Sequence, residues 1–307
     1  MKTLGIDTSN YTTSASICEN GIITENVRMI LEVANGGVGL RQSDAVFAHI
    51  KNIPTLMERL KSDLSDIDAV GVSSKPRDVL GSYMPCFLSG MSIATSMARA
   101  LNVPLYEFSH QSGHIKAAMY SAGVNFTDTF YAYHLSGGTF ELLEVTPKKN
   151  GYSVSISGGS RDVTAGQLID RVGVKLGLRF PCGAELEKLA NTFDGNFPKP
   201  KISVNGTYCN MSGGENLCQK LINENAPPSM VAAYLTEFVR LTLEKMTDNL
   251  LLSSKSQNII FSGGVSSNKT LSEFMKKKYN AYCAEPQFSQ DNAAGIALLC
   301  MDKLNER

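Results

Sequence analysis

Apolar and polar positions along the chain switch between a period of two and a period near 3.6, and the switches mark its elements. Thr3 to Thr8, with Leu4, Gly5 and Ile6 within it, leads into small hydroxyl and amide side chains (Thr8, Ser9, Asn10, Thr12, Thr13, Ser14). That predicts a buried strand and a turn, and Ser14 to Glu19 predicts a second strand that closes a hairpin before Gly21. Phe47, Ile50, Leu56 and Leu60 recur at helical spacing between about Ser43 and Ser62, Ala69 to Ser73 reads as a short strand, and Ser89 to Leu101 as a second helix. The hairpin pattern then returns in Phe130 to Leu135, a turn at Ser136-Gly137-Gly138, and Phe140 to Val145, with a further strand around Tyr152 to Ile156. Asp162 to Leu176 and Pro228 to Leu252 predict helices, Asn258 to Ser262 a strand, and Asp291 to Leu304 a closing helix, while Asn196 to Asn210 reads as an irregular loop.

Two strand-turn-strand openings, each followed by helices, predict a duplicated α/β architecture. The 307 residues suit about two domains. A boundary near residues 108 to 125, with the last helix returning to the first lobe, gives an N-terminal lobe of 1–115 plus 290–307 and a second lobe of 116–289. Hydrophobic residues make up 43% and charged residues 19%, with 29 basic and 29 acidic side chains, which points to neither disorder nor a globally basic protein. The seven cysteines (18, 86, 182, 209, 218, 283, 300) contain no C-x-x-C and are odd in number, which argues against a disulfide framework or a cysteine zinc site. No signal peptide opens the chain, and no apolar run approaches the ~18 residues of a membrane span, so the expectation is a cytoplasmic protein with no membrane partner.

Candidate chemistry begins with His110 and His114 in FSHQSGHIKAAM. Four residues apart at a helix start, they share one face, which suits either a hydrogen-bonded pair or half of a metal site that needs a third ligand from elsewhere. Asp291, in Gln290-Asp291-Asn292 before an apolar helix, is either an N-cap or that ligand. Asp162 and Asp170 fall near one face of the predicted helix. Asp170 can pair with Arg171 or accept hydrogen bonds from a ribose. Four glycine turns, Ser136-Gly137-Gly138, Ser157-Gly158-Gly159, Ser212-Gly213-Gly214 and Ser262-Gly263-Gly264, let backbone N–H groups approach an anion or simply end strands. The last of these leads to Asn268, which can reach a ribose or cap the next helix; neither the P-loop nor the dinucleotide spacing is present.

The ordered set Gly5-Ile6-Asp7-Thr8-Ser9, His110-x-x-x-His114, Leu135-Ser136-Gly137-Gly138, Ala165-Gly166 with Asp170, Gly183, Gly263-Gly264-Val265 with Asn268, and Asp291-Asn292 resembles the TsaD family of tRNA threonylcarbamoyladenosine transferases, long labelled glycoprotease or peptidase M22. The resemblance runs over nearly the whole chain. It implies an actin-like ATPase (ASKHA, ribonuclease H-like) α/β fold with two duplicated lobes around a nucleotide and metal cleft. It implies a divalent metal ion, iron or zinc, on His110, His114 and Asp291. It also implies an adenine nucleotide, threonylcarbamoyl-AMP or ATP/ADP, on His134, Leu135, Ser136, Gly137, Gly138, Asp170, Gly183 and Asn268. The implied reaction moves a threonylcarbamoyl group to adenine 37 of tRNA, with TsaB-, TsaE-like or paralogous partner proteins. The resemblance singles out no side chain as the catalytic acid or base.

The chain also departs from the family pattern. Asn10-Tyr11-Thr12 stands where Cys-Asp-Glu is usual, Thr139 follows Gly138 in place of a histidine, the G-P-G loop becomes Lys75-Pro76-Arg77 followed by Asp78 to Pro85, and Asn210 to Glu215 lacks the family's lysine. Three readings follow. One is the tRNA transferase, with Lys148, Lys149, Lys199, Lys201 and Lys276 to Lys278 as candidate contacts to RNA. The second is a paralogue with another carbamoyl-type acceptor or a non-catalytic nucleotide-binding role. The third, a metalloprotease, lacks the H-E-x-x-H pattern. The helix from Met230 to Leu252 offers Val231, Tyr234, Leu235, Phe238, Leu241 and Leu243 either to a partner or to the core.

Overall fold

In the first strand, β1 (Lys2–Asp7), every position from Thr3 to Asp7 is buried, because helices cover both faces of the sheet that it centres. The computed structural model describes residues 1–9, 11–32, 40–149 and 151–306. Asn10, the first residue of the departure from Cys-Asp-Glu, lies outside them. Contacts divide the chain into one unit of Met1–Asn125, Pro147–Ser153 and Gln290–Arg307 and another of Phe126–Thr146 and Val154–Ser289.

In the first unit β1 is followed by β2 (Thr12–Glu19), β3 (Ile22–Ile30), α1 (Gln42–Glu58), β4 (Ala69–Lys75), α2 (Phe87–Leu101), β5 (Leu105–Ser109) and α3 (His110–Ser121). The sheet order is β3-β2-β1-β4-β5, antiparallel across the first three strands and parallel from β1 through β4 to β5. Leu56 and Leu60 from α1 and its end, with Ala94 and Ala98 from α2, pack with Leu4, Ile6, Ile17, Val70 and Val72. The closing helix, 294–305, covers the other face. A Cβ on Gly5 would sit 2.5 Å from the Ala297 nitrogen, so only glycine lets that helix lie directly on β1.

The second unit runs β6 (Phe130–Leu135), β7 (Phe140–Lys148), β8 (Gly151–Ser160), α4 (Ala165–Lys175), α5 (Gly183–Ala190), β9 (Ser203–Asn205), β10 (Tyr208–Asn210), α6 (Ser212–Asn223), α7 (Pro228–Leu251), β11 (Ile259–Ser262), a 3-10 turn at Gly264–Ser267, α8 (Lys269–Tyr279), β12 (Tyr282–Cys283) and α9 (Pro286–Ser289). The chain then re-enters the first unit as α10 (Ala294–Asn305). The order β12-β11-β6-β7-β8-β10-β9 repeats the first sheet: an antiparallel hairpin, β6 and β7, with β11 and β12 added parallel beyond β6. All six apolar α7 positions named above are buried, so that helix is core. No helix of the described residues is long and apolar enough to cross a membrane.

Several local expectations need correction. The helix expected from Asp162 starts at Ala165, because Thr164 and Gln167 form a capping box, so Asp162 and Asp170 share no helix face. Asp162 instead accepts hydrogen bonds from the Met211 nitrogen at 2.7 Å and the Ser212 nitrogen at 3.1 Å, capping α6 from a distance. Ser157-Gly158-Gly159 lies inside β8 and is not a turn. Its glycines admit the close backbones of Thr207 and Phe140. The expected loop from Asn196 to Asn210 contains the paired strands β9 and β10, and β3 and β5 went unpredicted.

Candidate functional site

The parallel strands β1 and β4 and the β5–α3 junction bring Asp7, Ser73 and His110 to one edge of the first unit, at the C-terminal strand ends where α/β sheets bind ligands. Asp7 is 1% exposed. Its Oδ1 accepts from the Ser9 nitrogen at 2.8 Å and the Ser73 hydroxyl at 2.7 Å, and its Oδ2 lies 2.7 Å from His110 Nδ1. A buried carboxylate in that position requires a proton on Nδ1, which leaves Nε2 of His110 to face the rest of the cluster.

His110 opens α3 because Ser109 caps that helix through the Ser112 nitrogen at 3.1 Å. One turn on, His114 Nε2 is 2.9 Å from His110 Nε2 and 3.2 Å from Asp291 Oδ1; His110 Nε2 is 3.6 Å from the same oxygen. Asp291 does not cap α10: Ala293 holds that position, and Asn292 Oδ1 receives the Ala294 nitrogen at 3.0 Å. The approach of the two elements depends on paired glycines. A Cβ on Gly295 would overlap the Gly113 backbone, so α10 and α3 touch main chain to main chain where the cluster forms.

Burial by itself lowers the His110 pKa, but the charge of Asp7 and the hydrogen bonds to Asp291 and Asp7 overcome it and raise it to about 10. Burial pushes Asp7 and Asp291 up, and the imidazoles more than offset this, holding Asp291 far below the usual carboxylate range and Asp7 below it too. Two Nε2 atoms at 2.9 Å cannot both present bare lone pairs to each other, so either a proton or a metal ion lies between them. The donor atoms of His110, His114 and Asp291 all lie within 4.8 Å of one another. Two imidazoles and a carboxylate, with the outer nitrogen of one imidazole anchored by a second carboxylate, fit a divalent ion of the zinc or iron type and leave coordination positions open.

The remaining predicted residues belong to the second unit. His134 Nδ1 lies 3.3 Å from the Ser262 hydroxyl. Ser136 Oγ accepts from the Thr139 nitrogen at 3.0 Å, and the Gly137 carbonyl accepts from Thr164 Oγ1 at 2.9 Å, so the β6–β7 turn is fastened to the start of α4. A Cβ on Gly166 would come 2.7 Å from the Gly137 Cα, so α4 begins pressed against that turn. Gly137, Gly138, Gly183 and Gly264 face open space. Asp170, one turn into α4 from Gly166, accepts from the Cys182 nitrogen at 2.7 Å at the start of α5, beside Gly183. Burial raises its pKa against that hydrogen bond. Of the two roles open to Asp170 in the sequence, pairing with Arg171 is not favoured, since Arg171 pairs with Glu215 at 3.2 Å. Asn268 Oδ1 accepts from the Leu271 nitrogen at 3.0 Å and so caps α8, while Lys269 N–H donates to Glu187 of α5 at 2.7 Å. Among the lysines considered for RNA, Lys278 is held by Glu244 at 2.7 Å and Asp248 at 3.1 Å.

The sequence model of the family described as TsaD, tRNA N6-adenosine threonylcarbamoyltransferase, matches residues 31–298. A tRNA N6-adenosine threonylcarbamoyltransferase of Thermosipho melanesiensis is 30% identical, over 97% of this chain and 93% of its own length. The chain belongs to the TsaD family. A second relative of the same description, from Thermus thermophilus, is 30% identical over 97% of this chain and 91% of its own. Component A of the (R)-2-hydroxyglutaryl-CoA dehydratase of Acidaminococcus fermentans superposes with a TM-score of 0.58 at 13% identity, covering all of both chains. That likeness is one of fold, the actin-like ATPase fold, whose repeated sheets are the two described above. Within this TsaD family member Asp7 is the residue whose role the sequence did not reveal; its signals were its place in the Gly5 to Ser9 motif and an acidic side chain at the end of a buried strand.

Proposed function

We propose that this chain transfers a threonylcarbamoyl group from its adenylate to the exocyclic amine of adenine 37 in tRNA, using a divalent metal held by His110, His114 and Asp291. The observation that carries this reading is the convergence of those three donors on one point with Asp7 behind His110, in a chain of the TsaD family. Bound there, the metal supplies Lewis acidity toward a carbonyl of the acyl donor. His110 and His114 offer Nε2, and Asp7 keeps the His110 proton on Nδ1 so that this ring enters as a neutral donor. Asp291 contributes charge that makes a cation welcome between two imidazoles. The metal ligands belong to the first unit and the proposed nucleotide-binding residues to the second: the open Gly137–Gly138 backbone following His134, Leu135 and Ser136, with Asp170, Gly183 and Asn268. The Asp170 carboxylate accepts a ribose hydroxyl in this reading. In this reading partner proteins supply the adenylate, and TsaB-, TsaE-like or paralogous proteins are candidate partners.

The test supplies threonylcarbamoyl-adenylate and unmodified tRNA to the purified chain and digests the tRNA to nucleosides. The modified adenosine should form with the wild type and fall to background with His110→Ala. No modified nucleoside from the wild type, with partner proteins present, would sink the reading.

A further inference from the structure

His110 stands between two residues whose positions are fixed from outside their own helix. β4 and β5 run parallel with Lys75 beside Ser109, after a register shift between Ser73 and Lys75, so the loop that leaves β4 passes the N-terminus of α3. Within that loop Asp78 turns back onto the helix. Its Oδ2 accepts from Ser109 Oγ at 2.6 Å and from Ser112 Oγ at 2.9 Å, and its Oδ1 pairs with Lys75 at 3.0 Å. The Pro76 carbonyl accepts from the Gln111 nitrogen at 3.0 Å. The Arg77 nitrogen donates to Ser82 Oγ at 3.0 Å and closes the bend that carries Asp78.

The hydroxyl protons decide what this contact does. Ser109 and Ser112 are 1% and 2% exposed, and buried hydroxyls need partners. An ionised carboxylate only accepts, so Asp78 takes both hydroxyl protons and turns a Ser109 lone pair toward the Ser112 nitrogen, the bond that caps α3. Burial raises the Asp78 pKa, but hydrogen bonds from Ser109, Lys75 and Ser112 more than offset it and keep the group ionised at neutral pH. Its negative charge also suits the positive end of the helix dipole. The backbone around His110 is therefore tied to the β4 loop, while its ring is tied to Asp7 on β1. Together these ties fix where His110 Nε2 stands relative to His114 Nε2, 2.9 Å away and one turn along the same helix.

We propose that Asp78 is a positioning residue for the metal site: by fixing the first turn of α3 through Ser109 and Ser112, it sets the placing of the His110 and His114 donors and hence the geometry and affinity with which a divalent ion is held. The inference rests on the reading of His110, His114 and Asp291 as metal ligands. It gives the loop that departs from the family pattern a task at the site.

The experiment titrates cobalt(II), whose visible absorption reports ligand geometry, into the chelator-stripped full-length chain, and reads its affinity by competition with a chelator. Asp78→Ala should weaken cobalt(II) binding about tenfold, the low end for groups that orient a metal ligand from behind, and should change the shape of the absorption bands. Asp78→Asn should keep most of the affinity and the wild-type bands, because its carbonyl oxygen can accept from both serines as Oδ2 does. Lys75→Met removes the ion pair, leaves the serine contacts and should bind as the wild type does. Adding Ser112→Ala to Asp78→Ala should cost little further, since the two act through one contact. Where Asp78→Ala does not fold, Asp78→Glu, with its charge kept and its arm lengthened, takes its place and should alter the bands. Lowered thermal stability with wild-type cobalt(II) affinity and spectrum would overturn the proposal and leave the metal reading standing, as would an equal loss in Lys75→Met. A wild type that binds no cobalt(II), or binds it as well after His114→Ala, would overturn the metal reading and the proposal with it.

Discussion

Asp7 is the buried carboxylate that meets His110 in the proposed metal site. Replacing it with Asn keeps the shape but removes the charge that holds the Nδ1 proton of His110, and metal affinity should fall about 10–100-fold with the fold intact, as a competition titration against a chelator would read. The pH dependence follows from the raised His110 pKa. Metal binds the neutral ring, so below about 10 each unit of falling pH should weaken binding, by about tenfold while one proton is displaced per ion. In the metal-free chain the sign is opposite. A histidine whose folded pKa is raised contributes stability that is complete below its unfolded value of about 6.5. That stability is lost as pH rises through about 10, so the metal-free thermal midpoint should decline between those values. At this scale the sequence was legible where partners are local. His110 and His114 share a helix face by spacing alone. Asp291 stood open between capping and ligation because its partners lie 177 residues away from it at His114, and Asp7 showed nothing of its 103-residue reach to His110.

Helix contacts place those side chains. Gly295 against Gly113 lets α10 lie on α3, so Gly295→Ala should destabilise by about 1–3 kcal/mol through overpacking and should also weaken metal binding, since it pushes Asp291 away from the histidines. Chemical denaturation and metal titration on the same protein would show both effects together. Asp162 does comparable work for α6, and Asp162→Ala should cost about 1–2 kcal/mol as a lost cap. Burial opposes the ionised form of Asp162, but hydrogen bonds from Ser212 and the Met211 nitrogen hold its pKa well below normal. Its contribution is therefore present at neutral pH and is lost as pH falls below the unfolded value of about 3.9. The two hairpin openings and most long helices were readable because buried runs and 3.6-residue spacing are local signals. Strand β3 was not, because it is an edge strand with no fully buried position and the polar run Thr24-Glu25-Asn26 inside it. The five-residue β5 and three-residue β9 and β10 carry too little pattern to stand out.

On the scale of the whole molecule, the repeat of one sheet pattern in both units is what the paired hairpins predicted, and family membership agrees with the ordered motifs that run from Gly5 to Asn292. The departures fall mostly off the metal ligands: Thr12 is buried at the start of β2, Thr139 follows the β6–β7 turn, and the rebuilt loop places Asp78 at the start of α3. In the proposed reading the chain keeps His110, His114 and Asp291 together while the residues around them differ from the family pattern. The most direct measurement of the central claim is threonylcarbamoyl transfer to tRNA by chelator-stripped protein, before and after a divalent ion is returned, in wild type and His114→Ala. The account predicts no transfer from stripped protein, recovery in the wild type on adding the ion, and none in His114→Ala. Full transfer by the stripped wild type, or equal recovery in His114→Ala, would contradict it.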